Sequence, residues 1–168
     1  MSDLRFSRTV ACGAARCRTL LLDPAFLAAF VDLQHPIGPR ITVSAETASS
    51  VLAWTVATEG IPAIFARLVP KTVPIHLTIA VPEPAGTGGA ISLDITGKPS
   101  GTLRASLQLA PAPGDAGTTV KVDGSFRIDL GLLSGRASGY LKDGLILPIL
   151  EELADLLEQW ATGPPTAG

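Results

Sequence analysis

The chain has 168 residues, 46% of them apolar, and a formal net charge of −2 at pH 7. That length is enough for one domain with a full hydrophobic core. Its 13 Lys and Arg residues are offset by 15 Asp and Glu and are scattered, so no basic stripe forms that could neutralise a phosphate backbone; this argues against nucleic acid and for a small neutral or weakly charged partner.

Only 5% of residues are aromatic, while 17 glycines and 14 prolines suit short strands joined by tight turns. Cys12 and Cys17 form neither a CxxC pair nor a disulfide framework and are read as reduced thiols. Thr9-Val10-Ala11-Cys12 loosely matches a lipoprotein cleavage site, but Asp3, Arg5 and Arg8 interrupt the apolar run such a signal needs. No apolar run approaches the roughly 18 residues of a membrane span. The expectation is a soluble, cytoplasmic protein without stable membrane insertion, folded as one domain over residues 1–162 with a disordered tail over 163–168.

In chain order, residues 4–11 read as a first strand, with Phe6 and Val10 on one face and Arg8 interrupting it. A helix follows from Ala14. It breaks at Asp23-Pro24, where Asp23 can cap a second short helix with Pro24 at its first position and Phe26, Leu27, Phe30 and Val31 as its apolar side. His35-Pro36-Ile37-Gly38-Pro39 ends that helix. Strands are expected over 40–45 and 51–58, separated by the turn ETASS. The second is apolar on both faces, as for a central or helix-covered strand. Pro62–Val69 reads as a short helix with Ile64, Phe65 and Leu68 along its apolar edge.

From Lys71 the chain is a meander. Val73, Ile75, Leu77, Ile79 and Val81 alternate with polar or small residues, then Ile91, Leu93 and Ile95, then Leu103, Ala105, Leu107 and Leu109. Links this short make consecutive strands antiparallel, because a parallel return needs a long crossover.

Residues 118–130 (TTVKVDGSFRIDL) form the clearest strand, with Val120, Val122, Phe126, Ile128 and Leu130 on one side and charged or polar residues on the other. The segment that follows, 134–161, carries Leu141, Leu145, Ile149, Leu153, Leu156, Leu157 and Trp160 at helical spacing. Strand and helix both extend roughly 40 Å, so one can lie along the other. Gly135 and Gly139 weaken the helix start, so that its first turns are either loose or begin as late as Ser138. Pro148 lacks the N–H that would meet the Gly144 carbonyl, so a kink is expected between these two positions, either as a lid hinge or as a bend following the sheet's twist. Glu151, Glu152, Asp155 and Glu158 read as a solvated face, with a basic protein partner as the alternative.

No GxSxG, P-loop or dinucleotide fingerprint occurs. His35 and His76, with the two cysteines, lack metal-ligand spacing. No cofactor, metal or catalytic residue is therefore assigned.

The order of strand, two small helices, a run of antiparallel strands and a long C-terminal helix resembles the START-like, helix-grip (SRPBCC) superfamily, which includes pollen-allergen proteins, polyketide cyclases and lipid-transfer domains. Within it, LLLDPAFLAAF, IPAIFARLVPKTV, ITGKPSGTLRASLQL and TTVKVDGSFRIDLGLLSGR together resemble an actinobacterial family of unknown function. The first helix departs from the superfamily in opening on Ala11-Cys12-Gly13-Ala14. The resemblance implies an α+β fold, a curved antiparallel sheet of about six to seven strands wrapped around the C-terminal helix, with a cavity between them.

Such a cavity would be lined by aliphatic strand faces, which bind an apolar guest through area and few directional contacts. The expected ligand-contacting residues are Trp54, Phe65, Leu77, Leu93, Leu107, Phe126, Tyr140, Leu141 and Leu145; for Tyr140 and Trp54, plain core packing is the alternative. Three functions follow: non-catalytic binding of a hydrophobic small molecule such as a lipid, fatty acid or polyketide; a cyclase or dehydratase using an inward ionisable group, with Arg8 as the charged candidate and Asp94 or Arg104 only in a shifted register; or a cavity-less interaction module, including a homodimer through an edge strand.

Overall fold

The computed structural model describes residues 2–38, 41–45, 49–57, 72–81, 89–96, 100–111, 117–129 and 131–161. Alternation along the chain becomes seven strands: β1 (Ser2–Val10), β2 (Ile41–Ala45), β3 (Ser49–Ala57), β4 (Thr72–Ala80), β5 (Gly89–Ile95), β6 (Gly101–Pro111) and β7 (Thr118–Ile128). They form one antiparallel sheet in the order β1-β7-β6-β5-β4-β3-β2. Two short helices, α1 (Ala14–Leu21) and α2 (Pro24–Leu33), follow β1. After β7 comes a 3-10 turn (Gly131–Leu133), then α3 (Ser134–Leu141), a π-helical turn (Lys142–Ile146) and α4 (Leu147–Gln159). This is the expected helix-grip architecture, a curved sheet holding a long C-terminal helix.

Period-2 burial holds from β3 to β7, with one face dry and the other wet. At Gly124 a Cβ would stand 2.1 Å from the Arg104 carbonyl oxygen and 2.5 Å from Ala105 Cα, so β6 and β7 approach more closely there than any side chain allows.

The caps behave as the sequence implies. Asp23 accepts a 2.9 Å hydrogen bond from the Ala25 N–H, and Pro24 opens α2. At the far end of α4, the Arg16 guanidinium donates to the Trp160 carbonyl at 3.2 and 3.3 Å. That places a cation at the negative helix end. Phe26 meets Trp160 edge to face, with centroids 5.6 Å apart. Buried hydroxyls complete the ties: Ser50 Oγ donates to the Leu21 carbonyl at 2.7 Å, and Ser138 Oγ accepts from the Ile128 N–H at 3.0 Å.

Several expectations are corrected. The C-terminal helical segment begins at Ser134, the first residue of the expected span, and the later start at Ser138 is the alternative set aside; the 3-10 turn before it and the Ser138 anchor on β7 offset its two glycines. Ser49 and Ser50 lie in β3 and not in a turn, and β7 ends at Ile128. In place of a simple proline bend, the helix takes up one extra residue in a π-turn, closed by a Leu147 N–H bond to the Lys142 carbonyl five residues back. The acidic face of α4 is not merely solvated: Asp155 and Glu158 pair with Arg8 at 2.5 and 3.6 Å, and Glu152 accepts from Gln34 Nε2 at 2.5 Å. The expected helix over 62–69 and the tail over 163–168 lie outside the described residues.

Candidate functional site

The dry face is built as rows running across the strands. One row is Leu52, Leu77, Leu93, Leu103 and Phe126, each directly opposite the next in register. All five are buried. The next row is Trp54, Ile75, Ile95, Gly101 and Ile128, and it ends where Ser138 ties α3 to β7. Of the expected contacts, Leu77 and Leu93 are direct cross-strand partners, Phe126 lies on their row with Leu103 between, and Trp54 lies on the adjoining row. Leu107 lies further along, on the row of Val122 and Phe6.

The covering helix is divided by its π-turn. Over α4, Ile149, Leu150, Leu153, Ala154, Leu156 and Leu157 are buried. Over α3 and the π-turn, Ala137, Ser138 and Ile146 are buried, while Leu141 and Leu145 are half-buried. Tyr140 is 38% exposed, so its ring is not part of the enclosed set. Phe65 lies outside the described residues. Sequence reasoning missed Ile146 and Leu150, because an uninterrupted helical period points Leu145 inward and the extra π residue turns Ile146 there instead.

Under α4 the side chains fill the space almost completely. Between Phe6, Leu21, Leu107, Val122, Leu153 and Leu157 a void of about 10 Å³ remains, room for about one water and too apolar to hold it. This void by itself is not the expected ligand-sized hollow.

Charge on the dry face is sparse. On β1 Arg8 turns toward α4, where Asp155 and Glu158 hold it and its Nη1 also donates to the Glu151 carbonyl at 3.4 Å. Asp94 and Arg104 pair with each other at 3.1 Å with substantial exposure, on the wet face, so the register is not shifted and neither reaches the interior. One polar atom on the dry face stands apart. Trp54 is 2% exposed, and its indole Nε1–H has no hydrogen-bond partner among the described residues. Phe30 meets the ring edge to face at a centroid distance of 6.3 Å, an apolar contact without an oxygen or nitrogen acceptor.

Of the two cysteines, Cys12 lies at the turn from β1 into α1 and Cys17 within α1. Both are free and buried. Burial above all, then the hydrogen bond and charge of the neighbouring Cys12 thiol, push the Cys17 pKa from 9.0 up to about 12. A thiol so protonated is a poor nucleophile. Cys17 Sγ lies 3.7 Å from the Cys12 carbonyl, which also accepts a 2.6 Å bond from Thr118 Oγ1.

Among solved structures, the chain is similar to TTHA0849 from Thermus thermophilus at a TM-score of 0.61, with 16% identity over 94% of each chain. It is also similar to the ZhuI aromatase/cyclase from Streptomyces sp. R1128 at 0.56, with 15% identity over 95% of this chain and 93% of that one. A norcoclaurine synthase from Thalictrum flavum matches at 0.57, with 10% identity over 96% and 94%. Identities this low establish the shared fold. No curated protein matches the sequence. Residues 5–137 match the family described as protein of unknown function (DUF2505), a span that contains all four of the motifs quoted above, and the chain belongs to that family.

Proposed function

We propose that this protein binds a hydrophobic small molecule, without catalysis, between the dry face of its sheet and the α3–π-turn segment. The observation that carries this reading is the chemistry of that face: mostly apolar side chains along two adjoining rows, with the charged group on the first strand's inner side, Arg8, already satisfied by two carboxylates. Such a surface gains by excluding water from an apolar guest, at about 25 cal/mol per Å², and offers little for moving protons. Trp54, Leu77, Leu93, Phe126, Leu141 and Leu145 are the proposed contacts, with Tyr140 at the margin and Leu107 at the α4 end; Phe65 remains a proposed contact from the sequence alone. Because the interior under α4 is filled, the guest enters beneath the half-buried leucines of α3 and the π-turn. The fold shared with an aromatase/cyclase and a norcoclaurine synthase supports a small organic ligand. The cyclase alternative lacks converging polar groups on this face among the described residues.

Native mass spectrometry of the protein purified from its own host tests the reading. An apolar species of definite mass, released on denaturation, is expected. Protein at its bare mass, with no saturable uptake of an apolar fluorescent dye in titration, would end the proposal and favour the interaction module.

A further inference from the structure

Resting on that reading, we infer that the Trp54 indole N–H is the polar contact of the site, and that the ligand is an apolar molecule carrying one uncharged oxygen acceptor: a ketone, ester or alcohol. A buried N–H without a partner is costly, because it has given up water and received nothing. Nearly all buried donors in folded proteins are satisfied, so an orphan on an aliphatic wall marks a place where a partner arrives from outside. Trp54 lies opposite Ile75, and along its own strand Leu52 occupies the next inward position. None of these side chains carries a hydrogen-bond acceptor.

The surroundings also decide the charge of the acceptor. A carboxylate or phosphate brought to Trp54 would be stripped of water and given one neutral donor; among the described residues, Arg8 is held by Asp155 and Glu158, Arg104 lies on the opposite face, and Lys142 of the π-turn is beside Asp143. Burying an ion on those terms costs far more than one indole N–H returns. A carbonyl or hydroxyl oxygen carries a much smaller desolvation cost and satisfies the donor. The same asymmetry gives selectivity, since a ligand lacking the oxygen leaves the N–H unpaired.

The test uses the whole chain and two probes of matched shape, methyl nonyl ketone and the branched alkane in which a methyl group replaces the ketone oxygen. The indole N–H resonance of Trp54 is followed by proton–nitrogen NMR, and affinities are measured for wild type and for Trp54→Phe, which keeps an aromatic ring against Phe30. The ketone is expected to move the Trp54 resonance downfield and to bind about tenfold more tightly than the alkane, with Trp54→Phe reducing the ketone to the alkane's affinity. If both probes bind equally and the resonance moves alike, the inference falls while the binding function stands. If neither binds, both fall together. The resonance in wild-type protein decides the matter even where the variant fails to fold.

Discussion

Arg8 Nη2 lies 2.5 Å from Asp155 Oδ1, which joins the first strand to the covering helix across most of the length of the chain. Arg8 interrupts an apolar strand face, and taken alone that position looks like a functional group. Its partners make it a clasp. The side chains of Arg8 and Asp155 remain 31% and 52% exposed, so water screens the pair and its worth is at most about 1 kcal/mol. A double-mutant cycle with Arg8→Met and Asp155→Ala, measured by urea unfolding, is expected to give a coupling energy within that bound, shrinking in about 1 M salt. A coupling of several kcal/mol, insensitive to salt, would show that the clasp is buried and structural in a way this geometry does not support.

Gly124 makes the opposite kind of prediction, because the atoms that crowd it are backbone. Gly124→Ala places a methyl 2.1 Å from the Arg104 carbonyl oxygen, and β6 must move for it to fit. Relief requires loosening the β6–β7 ladder, the sheet's longest pairing together with its edge. The expected result is a loss of about 3 kcal/mol or more, seen as a lower urea midpoint or no soluble folded protein. Gly135→Ala, where nothing lies within 4 Å, is the control and is expected to be neutral or slightly stabilising. Equal behaviour of the two variants would refute the close approach.

The strands were legible because their period of two is short and each repeat carries the same information: His76, Asp94 and Arg104 fall on the wet face as alternation requires, and Leu77, Leu93 and Phe126 on the dry one. The α2 cap at Asp23 was legible because Asp-Pro has a local mechanism. Three things were not. The partners of Arg8 and Glu152 lie more than a hundred residues away in sequence, so a local reading saw only an interrupting charge and an acidic stripe. The filling of the interior depends on how side chains of five or more elements interlock, which no periodicity encodes. The π-turn shifts the helical phase by one residue, and the signal present, Gly144 and Pro148, announces a disturbance without saying whether the helix bends or gains a residue.

That phase shift separates two neighbouring positions. In an unbroken helix Leu145 would face the sheet; here Ile146 is 1% exposed and Leu145 is half-buried. Ile146→Ala is therefore expected to cost about 2–5 kcal/mol, the range for emptying a buried aliphatic site, and Leu145→Ala distinctly less, by urea unfolding of each variant. The two changes should diverge again in ligand titrations, where Leu145→Ala weakens uptake of the apolar probe by removing part of the proposed entrance while leaving the fold intact. The reverse ranking in stability would place the helix in ordinary α phase and remove the π-turn.

The buried thiol pair gives the pH dependence its sign. Cys17 is held protonated in the folded chain, its pKa pushed from 9.0 to about 12 chiefly by burial, whereas in the unfolded chain it ionises near the ordinary value. Below about pH 9 both states carry the proton and the group contributes no pH dependence. Above it the unfolded state loses the proton and the folded state keeps it, so the unfolded state binds fewer protons and stability falls as pH rises, by up to about 1.4 kcal/mol per pH unit until the folded pKa is reached. To isolate this group the measurement is a difference: urea stability of wild type minus Cys17→Ala, at pH 8 and at pH 10. That difference is expected to move against wild type by about 1 kcal/mol between the two. In step with it, alkylation of Cys17 by iodoacetamide should be slow in folded protein and fast in urea, because the thiolate that reacts is formed only when the chain opens. Rapid alkylation of the native protein at pH 8, or a difference independent of pH, would mean that Cys17 is neither shielded nor shifted.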